Sequence, residues 1–456
     1  MLQLALKQNN LWHRSSIYLV IEKDGTKVPS FTYQSQEGKH MHSTKFLTPK
    51  YTLVQAAYWG GYCTLHAYAA VFLLDKGFSN GSIGLLLALA NVLAVFLQPL
   101  VGGILDKAEK FDVRDAMLFF SVLTIGISLL LYLAGNHMAF IGILFLTSYM
   151  LQMVCQPLTS TLGYEFINKG YPLNFGLPRG IGSCSFAAVS MIVGNIIGKK
   201  GSGVLPICTI VLFVIYLVAI WMMKIPMESY GAATETDGYR TAVSDEEQNE
   251  TQRNGAAKKG VAHNRFSDFV KHYPKFSVFL LSVVTIFILH SMINDFFIQI
   301  ITPLGGNSTT LGYAISLAAV VELPAMAAFG MLKKKINGGT LLKWSLILFT
   351  VKGLLMLLAQ NMVMVYVSQC FQMVAYALFI PASIDYVNQK MEDMDLVKGQ
   401  AFVTGALTLG SVFGTVFGGF LLDVATPKTM LLIGIVISAI GSIIACLSVE
   451  KVVDIR

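Results

Sequence analysis

Long apolar runs joined by short polar segments fill most of this sequence, and they decide what kind of molecule it can form. A helix that crosses a bilayer needs about 20 mainly apolar residues. Twelve runs meet that length while tolerating scattered polar side chains, so we predict twelve transmembrane helices. The runs lie at about 51–74, 81–105, 116–135, 138–162, 178–198, 203–225, 276–300, 310–332, 340–359, 361–386, 399–422 and 428–449.

Composition supports a bilayer environment and argues against several function classes. The 456 residues are 54% hydrophobic and 13% charged, whereas a soluble domain carries about 25% charged residues. The net charge of +7 comes without a basic arm or an aromatic-basic platform, so nucleic acid is not a predicted partner. The six cysteines lie in or beside apolar runs without metal spacing, which favours packing as small apolar side chains.

A polar stretch at 226–275 separates the runs into two sets of six. It contains many charged residues and few large apolar ones, so burial cannot offset its ordering entropy, and we predict a mobile cytoplasmic loop. The predicted architecture is therefore an all-α membrane protein with two six-helix bundles, at 49–225 and 276–450, and cytoplasmic tails at 1–48 and 451–456.

The N-terminal tail has two interpretations. It lacks the apolar core of a signal peptide, and residues 16–31 are predicted to form a short hairpin. Met41 begins a more ordinary lead-in, residues 42–50, directly before the first run. Residues 1–40 are therefore either part of the protein or a mis-called extension before a true start at Met41. Native peptides from upstream of Met41 would exclude the second interpretation.

The placement of Lys and Arg predicts the orientation in the membrane, because loops rich in these residues stay on the cytoplasmic side. One side holds ten and the other holds four: Lys107, Lys110, Arg114, Lys169, Lys333, Lys334, Lys335, Lys343, Lys390 and Lys398 against Lys76, Lys199, Lys200 and Lys428. We therefore predict a protein of the cytoplasmic membrane, with the first side, the central loop and both termini in the cytoplasm.

The two sets of runs share a glycine spacing. Gly84 and Gly102 stand eighteen residues apart in the second run, as do Gly312 and Gly330 in the eighth. Six-helix units repeated in parallel, with a binding site between them at the membrane midplane, are typical of alternating-access transporters. The alternative interpretation is that these glycines only permit close helix packing.

Two motifs resemble a known transporter family. Residues 102–107, Gly-Gly-Ile-Leu-Asp-Lys, resemble the Gly-x-x-x-Asp-Arg/Lys loop between helices 2 and 3 of the major facilitator superfamily. Residues 175–183 resemble the Gly-x-x-Arg-x-x-Gly-Ser stretch of its lactose-permease-like branch. The resemblance covers about 50–450 and implies the twelve-helix fold of that superfamily. The first motif is only partly kept beyond its basic residue, and its second-half counterpart has Lys334 where the first has Asp106.

The resemblance implies that the first motif belongs to a gate. Gly102, Asp106 and Lys107 then lie at a cytoplasmic helix end, where Asp106 can pair with basic groups or face helix dipoles in one state and release them in another. A solvated loop charge is the alternative. In the eleventh run, glycines recur every four residues from Gly410 to Gly418, which predicts close, sliding contact between helices.

Three charged residues within the apolar runs are the main candidates for chemistry, because a charge at the centre of a membrane helix costs about 2.5–3.5 kcal/mol. Glu322 lies near the middle of the eighth run and Lys352 within the ninth. Asp295 lies in the seventh, beside Asn294 and near His290. A short turn joins the eighth and ninth runs, so we expect Glu322 and Lys352 to approach each other. They form either a structural ion pair or a proton site poised by access to water.

The resemblance also implies roles for some of these residues. In the lactose-permease-like branch, helix 8 carries a sugar-contacting carboxylate and helix 9 an arginine that assists proton coupling; Glu322 and Lys352 match them in position. The histidine and the proton-carrying carboxylate of helix 10 are replaced here by Gln372 and Ala375. The coupling relay therefore does not transfer intact, and proton coupling would rest on Glu322 or Asp295.

Arg179 matches the arginine that the branch carries in helix 5, which implies a substrate-binding or gating role. The carboxylate partner of that arginine falls near Thr161 in this sequence, and Glu165, one turn later, is a candidate substitute. We therefore expect Arg179 to have an acidic neighbour on helix 4.

Neutral polar side chains in the runs complete the candidate site. Tyr62 and His66 lie one turn apart in the first run, and Gln369 and Gln372 in the tenth. Singly, such residues form interhelical hydrogen bonds; together they suit a hydroxyl-rich ligand. Trp59 either stacks on a sugar face or packs between helices.

These observations predict a secondary transporter, which takes up a small polar solute such as a sugar or glycoside together with protons. The sequence contains no phosphate-binding loop, metal motif or nucleophile elbow, so an enzyme or a primary pump is not expected. No cofactor is predicted, and a monomer suffices because the site lies between halves of one chain. The alternatives are efflux of drug-like or sugar-like compounds and a membrane sensor or receptor that does not transport.

Overall fold

The computed structural model describes two strands, Tyr18–Ile21 and Lys27–Ser30, and residues 46–108, 111–135, 137–223 and 266–450. The strands β1 and β2 pair antiparallel, with Tyr18 opposite Ser30, as predicted for the hairpin. This hairpin belongs to a unit separate from the chain after Leu47. The alternative start at Met41, the tail at 451–456 and residues 224–265 of the predicted loop lie outside the described residues.

Each of the first six apolar runs forms a helix, and we call these helices the N-terminal set. Polar N-caps begin two of them: the side chain of Ser79 accepts from Ser82 N–H and that of Asp112 from Asp115 N–H. The helices are α1 (Leu47–Asp75), α2 (Asn80–Leu105), α3 (Val113–Leu133), α4 (Met138–Asn168), α5 (Gly176–Lys200) and α6 (Leu205–Trp221).

The last six runs also form helices, which we call the C-terminal set. They are α7 (Pro274–Asp295), α8 (Ser308–Lys333), α9 (Gly338–Leu357), α10 (Met362–Lys390), α11 (Leu396–Val424) and α12 (Pro427–Ser448). The all-helical membrane fold is thereby confirmed. Eleven described helices are both long and apolar enough to span a bilayer, and α1, with 29 residues, is not among them. The predicted count of twelve spans is therefore not fully confirmed.

Hydrogen bonds explain why α1 carries polar side chains along its length. The Tyr51 hydroxyl donates to the Thr159 carbonyl on α4 at 3.0 Å, and the Tyr58 hydroxyl donates to the Gln152 carbonyl at 2.9 Å. Thr64 pairs with a hydroxyl on α6. In hydrocarbon, hydrogen bonds between helices hold them together where apolar burial cannot. The polar residues of α1 therefore tie it to its neighbours.

The end of the predicted loop is helical, which corrects the expectation that 226–275 is entirely loop. A short helix, Phe266–His272, precedes α7. Phe269 within it is 1% exposed and packs against Phe276 and Phe402. A single buried aromatic side chain anchors this segment, and the surrounding polar composition concealed it.

Two runs predicted as continuous are broken in the structure. After α7, Phe296 leaves helical geometry with φ −112° and ψ 29°, and a short helix follows at Phe297–Ile301. Within α10, a 3₁₀ turn at Phe371–Met373 interrupts the helix, which resumes at Tyr376. Interrupted helices near the midplane are a feature of transporter binding sites. Hydropathy does not report such breaks because the runs that contain them remain apolar on average.

The two sets pack against each other through two helix pairs, α5 with α8 and α2 with α11. A Cβ atom placed on Gly84 would lie 2.5 Å from the Thr415 carbonyl oxygen, and one on Gly312 would lie 2.5 Å from that of Ser190. Only glycine permits such backbone contact. We call this end, where α2 and α8 begin and α5 and α11 end, the closed end.

At the other end, which we call the open end, the same helices are apart. Gly102 on α2 and Gly330 on α8 have no atom of another helix within 4 Å of an added Cβ, and neither does Gly180 near the start of α5. The repeated glycine pairs of the sequence therefore mark the two ends of the interface between the sets.

The glycines of α11 form the close helix contact that the sequence predicts. Gly410 faces the Val284 carbonyl and Gly414 faces Ile288, both on α7. The close contact is present, but it lies within the C-terminal set. These glycines pack α11 against α7 and do not lie at the interface between the two sets.

Candidate functional site

A cavity of about 470 Å³, the central cavity, lies between the two sets of helices. Its walls come from α1, α4 and α5 on one side and from α7, α8 and α10 on the other. Lys352 is 2% exposed and contacts the lining residue Gln372. The other nine residues predicted to bind substrate or protons line the cavity: Tyr62, His66, Arg179, His290, Asn294, Asp295, Glu322, Gln369 and Gln372.

Glu322 and Lys352 do not meet directly, which corrects the expected close approach. The Lys352 ammonium donates to Oε1 of Gln372 at 2.6 Å, and Nε2 of Gln372 donates to Glu322 Oε1 at 2.9 Å. One amide therefore joins a cation on α9 to a carboxylate on α8. The sequence resemblance places Gln372 where the lactose-permease-like branch has a histidine. It does not predict that Gln372 bridges two charged residues.

The break in α10 lies at this bridge. Gln372 is the middle residue of the 3₁₀ turn, and Ser368, one turn earlier, donates to the Lys352 carbonyl at 3.0 Å. Both contacts fasten α10 to α9. A buried charge without such partners would be strongly destabilising, so the bridge also accounts for how the membrane interior tolerates Lys352.

A second polar group faces the central cavity from the end of α7. The Thr415 hydroxyl on α11 hydrogen-bonds to the Asp295 carboxylate. The amide nitrogen of Asn294 lies 2.9 Å from Nε2 of His290, and the His290 ring stacks on Tyr376 with centroids 5.4 Å apart. Asp295 therefore has a neutral partner and no cation beside it in the described chain. Sequence reasoning missed Thr415, which looks like an ordinary helix residue.

Arg179 is held by an aromatic ring and a hydroxyl. Its guanidinium lies 4.1 Å from the centre of the Trp59 ring, and Nη1 donates to Ser183 at 2.9 Å. No described contact joins it to Thr161 or Glu165, so the expected acidic neighbour on α4 is not found. Because the cation covers one face of Trp59, that face is not free to stack on a sugar.

His66 lies in an aromatic sandwich. Its ring centre is 3.5 Å from that of Tyr62 on α1 and 3.7 Å from that of Tyr149 on α4. Its Nε2 is buried and has no hydrogen-bond partner among the described residues, and the same holds for Nε2 of Gln369. Leaving a buried polar group unpaired costs about 1–3 kcal/mol, so both atoms are natural contacts for a polar ligand. Tyr149 was missed because a lone tyrosine in an apolar run carries no signal.

The candidate gate residues lie at the open end. Asp106 follows α2 as its C-cap, and its backbone N–H donates to the Gly102 carbonyl. Asp106 and Lys107 are exposed, and neither forms an ion pair within the described ranges. In the counterpart loop of the C-terminal set, Lys333 pairs with Asp385.

Other charges at the open end also stay within the C-terminal set. Glu450, just beyond α12, accepts hydrogen bonds from Lys275 and from Lys390, the latter at 2.8 Å. These two bonds lower the pKa of Glu450 to about 2, so it is ionised at neutral pH. Such contacts hold one set together and do not connect the two sets.

An acidic residue connects the sets at the closed end. Asp423 at the end of α11 accepts from the backbone N–H groups of Asn80 at 2.8 Å and Gly81 at 2.9 Å. Gln299 donates to the side chain of Asn80 at 2.9 Å. The start of α2 is the positive end of its helix dipole, so a carboxylate there is stabilising. Sequence reasoning missed Asp423 because its partner is more than 300 residues away.

Comparison with known sequences identifies relatives over most of the chain. The profile described as "MFS_1 like family" matches residues 51–433. A maltose permease from Geobacillus stearothermophilus is 24% identical over 363 residues, which is 78% of this chain and 82% of that protein.

Comparison with solved structures shows the same architecture. The nucleoside transporter NupG superposes with a TM-score of 0.66 at 14% identity, covering 90% of this chain and 100% of that one. A bacterial homologue of the iron transporter ferroportin, in an inward-facing state, gives a TM-score of 0.64 at 12% identity, covering 91% of this chain and 100% of that one. At these identities the likeness shows the fold alone.

Proposed function

Since the chain belongs to the MFS_1 like family of the major facilitator superfamily and is a multi-pass membrane transporter, we propose that it takes up a small polar solute together with protons. Sugars and glycosides are the proposed substrate class. The observation that carries the proposal is the central cavity, which lies between the two sets and is lined by charged and hydrogen-bonding groups from both.

The chemistry of the cavity supports a hydroxyl-rich substrate. Its volume of about 470 Å³ falls within the range of about 300–1,000 Å³ for small-molecule sites. Gln369 and His66 each present a buried, unpaired nitrogen, and amides and imidazoles bind hydroxyl groups. The maltose permease relative supports the same substrate class. One chain supplies the whole cavity, so we expect a monomer to suffice.

Glu322 and Asp295 are the proposed proton carriers. Both line the cavity, and both have neutral hydrogen-bond donors as their direct partners, Gln372 and Thr415. A carboxylate in this position can exchange protons with whichever compartment has access to the cavity. Arg179, held over Trp59 on the opposite wall, is the proposed cationic contact for substrate oxygens.

Alternating access is supported by the two unlike ends of the interface. The open end is the side of the basic loops, which the positive-inside rule assigns to the cytoplasm. We therefore infer that this conformation faces inward and that both termini are cytoplasmic. Movement of one set against the other would close the open end and expose the cavity outside, with Gly102, Asp106 and Lys107 as part of the gate.

Uptake of radiolabelled maltose into proteoliposomes tests the proposal. We expect accumulation when the outside is made acidic, and none without a gradient. Glu322→Gln should lower accumulation at least about tenfold, because an amide cannot carry the proton. Downhill exchange should persist in this variant. Asp295→Asn is measured beside it. Full accumulation by both variants would reject these residues as proton carriers.

The same vesicles separate the alternatives. If maltose supplied outside accumulates only when the vesicle interior is acidic, the protein exchanges solute for protons, which is the coupling expected of an efflux transporter. Binding of maltose without any transport, in either gradient direction, would favour the sensor.

A further inference from the structure

Two glutamines on α10 lie one turn apart and are used differently. Gln369 is 3% exposed and lines the central cavity, and its Nε2 has no partner among the described residues. Gln372 is 7% exposed, and both of its polar atoms are engaged, Oε1 by Lys352 and Nε2 by Glu322. A ligand that bound Gln372 would have only the second N–H and the second lone pair of its amide to use, whereas both N–H groups of Gln369 Nε2 are unpaired within the described chain.

The two partners determine which way the Gln372 amide points. An ammonium only donates hydrogen bonds, so it requires the amide oxygen; an ionised carboxylate only accepts, so it requires the NH₂ group. Hydrogen bonds to charged groups are roughly twice as strong as neutral ones. The amide is therefore held at both ends, in the one orientation that suits an ionised Glu322 and a charged Lys352.

We propose that Gln372 is a positioning residue, which joins Glu322 to Lys352 and does not bind the substrate, while Gln369 is the glutamine that contacts it. This inference rests on the proposed proton site at Glu322. When Glu322 takes up a proton, its bond to the amide loses its charge-assisted character, and the link to Lys352 weakens with it. Gln372 thereby makes the state of Lys352 depend on the protonation of Glu322.

Several other titratable groups line the same cavity. Arg179 faces Glu322 across the cavity from α5, and the remaining titratable groups of the C-terminal wall are neighbours on α7 and α10. These are His290, Asp295 and Tyr376. None of them hydrogen-bonds to the Gln372 amide, so replacing Gln372 leaves their contacts in place.

A double-mutant cycle on the purified full chain tests the bridge without any substrate. Gln372→Met keeps the size of the side chain and removes both hydrogen bonds, so we expect the midpoint of thermal unfolding at pH 7.5 to fall by roughly 3–6 °C. In a Glu322→Gln background, the same change should cost less than half as much, because the charged acceptor is already gone. Gln369→Met is the matched control, and its effect should be the same in both backgrounds. Equal effects of Gln372→Met in both backgrounds would overturn the bridge.

Gln372→Glu supplies a signature that a merely structural role does not produce. The new carboxylate can still accept from Lys352, but it cannot donate to an ionised Glu322. It can donate once the two carboxyl groups share a proton. We therefore expect this variant to be less stable than the parent at pH 8 and to recover most of the loss at pH 5.5. In a Glu322→Gln background the introduced amide can donate to the new carboxylate, so the recovery between the two pH values should be much smaller there. A deficit that is unchanged between the two pH values would contradict the inference.

Maltose uptake separates the two glutamines and also separates this inference from the proposed function. Gln369→Met should raise KM at least about fivefold with accumulation retained at saturating maltose, because it removes a ligand contact. Gln372→Met should leave KM within about twofold and lose proton-driven accumulation. The opposite assignment of the two effects would overturn the inference. Failure of the parent protein to respond to a proton gradient would instead reject the proposed function, and the stability cycle would still decide the bridge.

Discussion

The closed and open ends of the interface between the two helix sets differ in what their glycines touch. At the closed end, Gly84 and Gly312 bring backbone against backbone, and Asp423 caps the start of α2 from the other set. At the open end, Gly102 and Gly330 touch no other helix. Glycines at the same repeated spacing therefore form helix contacts at the closed end and none at the open end.

We predict that Gly330, which touches no other helix here, makes a helix contact in the outward-facing conformation. On α5 and α8, Gly194 lies against Gly312, and residues later on α5 meet earlier ones on α8, so the two helices run antiparallel. Eighteen residues along each helix from that contact lie Gly176 and Gly330. We therefore predict that Gly176 and Gly330 form the equivalent contact at the open end if the two sets move against each other as proposed. The difference between the ends supports the proposed inward-facing state and predicts which surfaces would meet in an outward-facing one.

A tryptophan at Gly84 should disrupt the closed end, and we expect it to have the largest effect of the changes considered. Gly84→Trp cannot fit, since even a Cβ would lie 2.5 Å from the Thr415 carbonyl. We expect the closed end to be forced apart and uptake to fall at least about twentyfold, because packed interfaces do not deform continuously. Spin labels on Lys76→Cys and Lys428→Cys, in a background without the exposed native cysteines, should move apart.

Gly126→Trp is the control for that experiment, because an added Cβ there meets nothing within 4 Å. It should leave both the label distance and uptake near the parent values. An unchanged label distance in Gly84→Trp would show that the closed end does not depend on this contact.

A cysteine pair at Gly176 and Gly330 tests whether the open end closes when the closed end is forced apart. A short thiol cross-linker should join Gly176→Cys to Gly330→Cys poorly in the parent and efficiently when Gly84→Trp is present, because only then does the open end close. The pair Asn195→Cys and Tyr313→Cys replaces side chains that touch at 3.3 Å at the closed end, and it should behave in the opposite way. Equal yields for the first pair in both backgrounds would contradict the exchange of contacts.

Removal of the carboxylate at the closed end should have the smallest effect. Asp423→Ala takes away two hydrogen bonds to the start of α2 and a favourable charge near its dipole. We expect the population opened at this end, measured with the same spin labels, to rise about three- to tenfold. Asp75→Ala is the matched control, since Asp75 accepts from Ser202 within the N-terminal set. A similar rise in both variants would rule out a specific role for Asp423.

Much of the fold could be predicted because it depends on local properties of the chain. Length and hydropathy located the eleven described helices that are long and apolar enough to span a bilayer, and the repeat of Gly84 and Gly102 in Gly312 and Gly330 indicated two related halves. The buried charge of Glu322 identified the region of the cavity, because charge is costly in any membrane helix wherever its neighbours lie.

The tertiary structure decided the rest. The bridge from Lys352 through Gln372 to Glu322, the cation over Trp59 and the cap of α2 by Asp423 all join residues that are far apart in the chain. A sequence records which groups need partners, because that need follows from the bilayer around each helix. Which partners meet, and which end of the interface is closed, depends on how twelve helices pack at once, and no single segment contains that information.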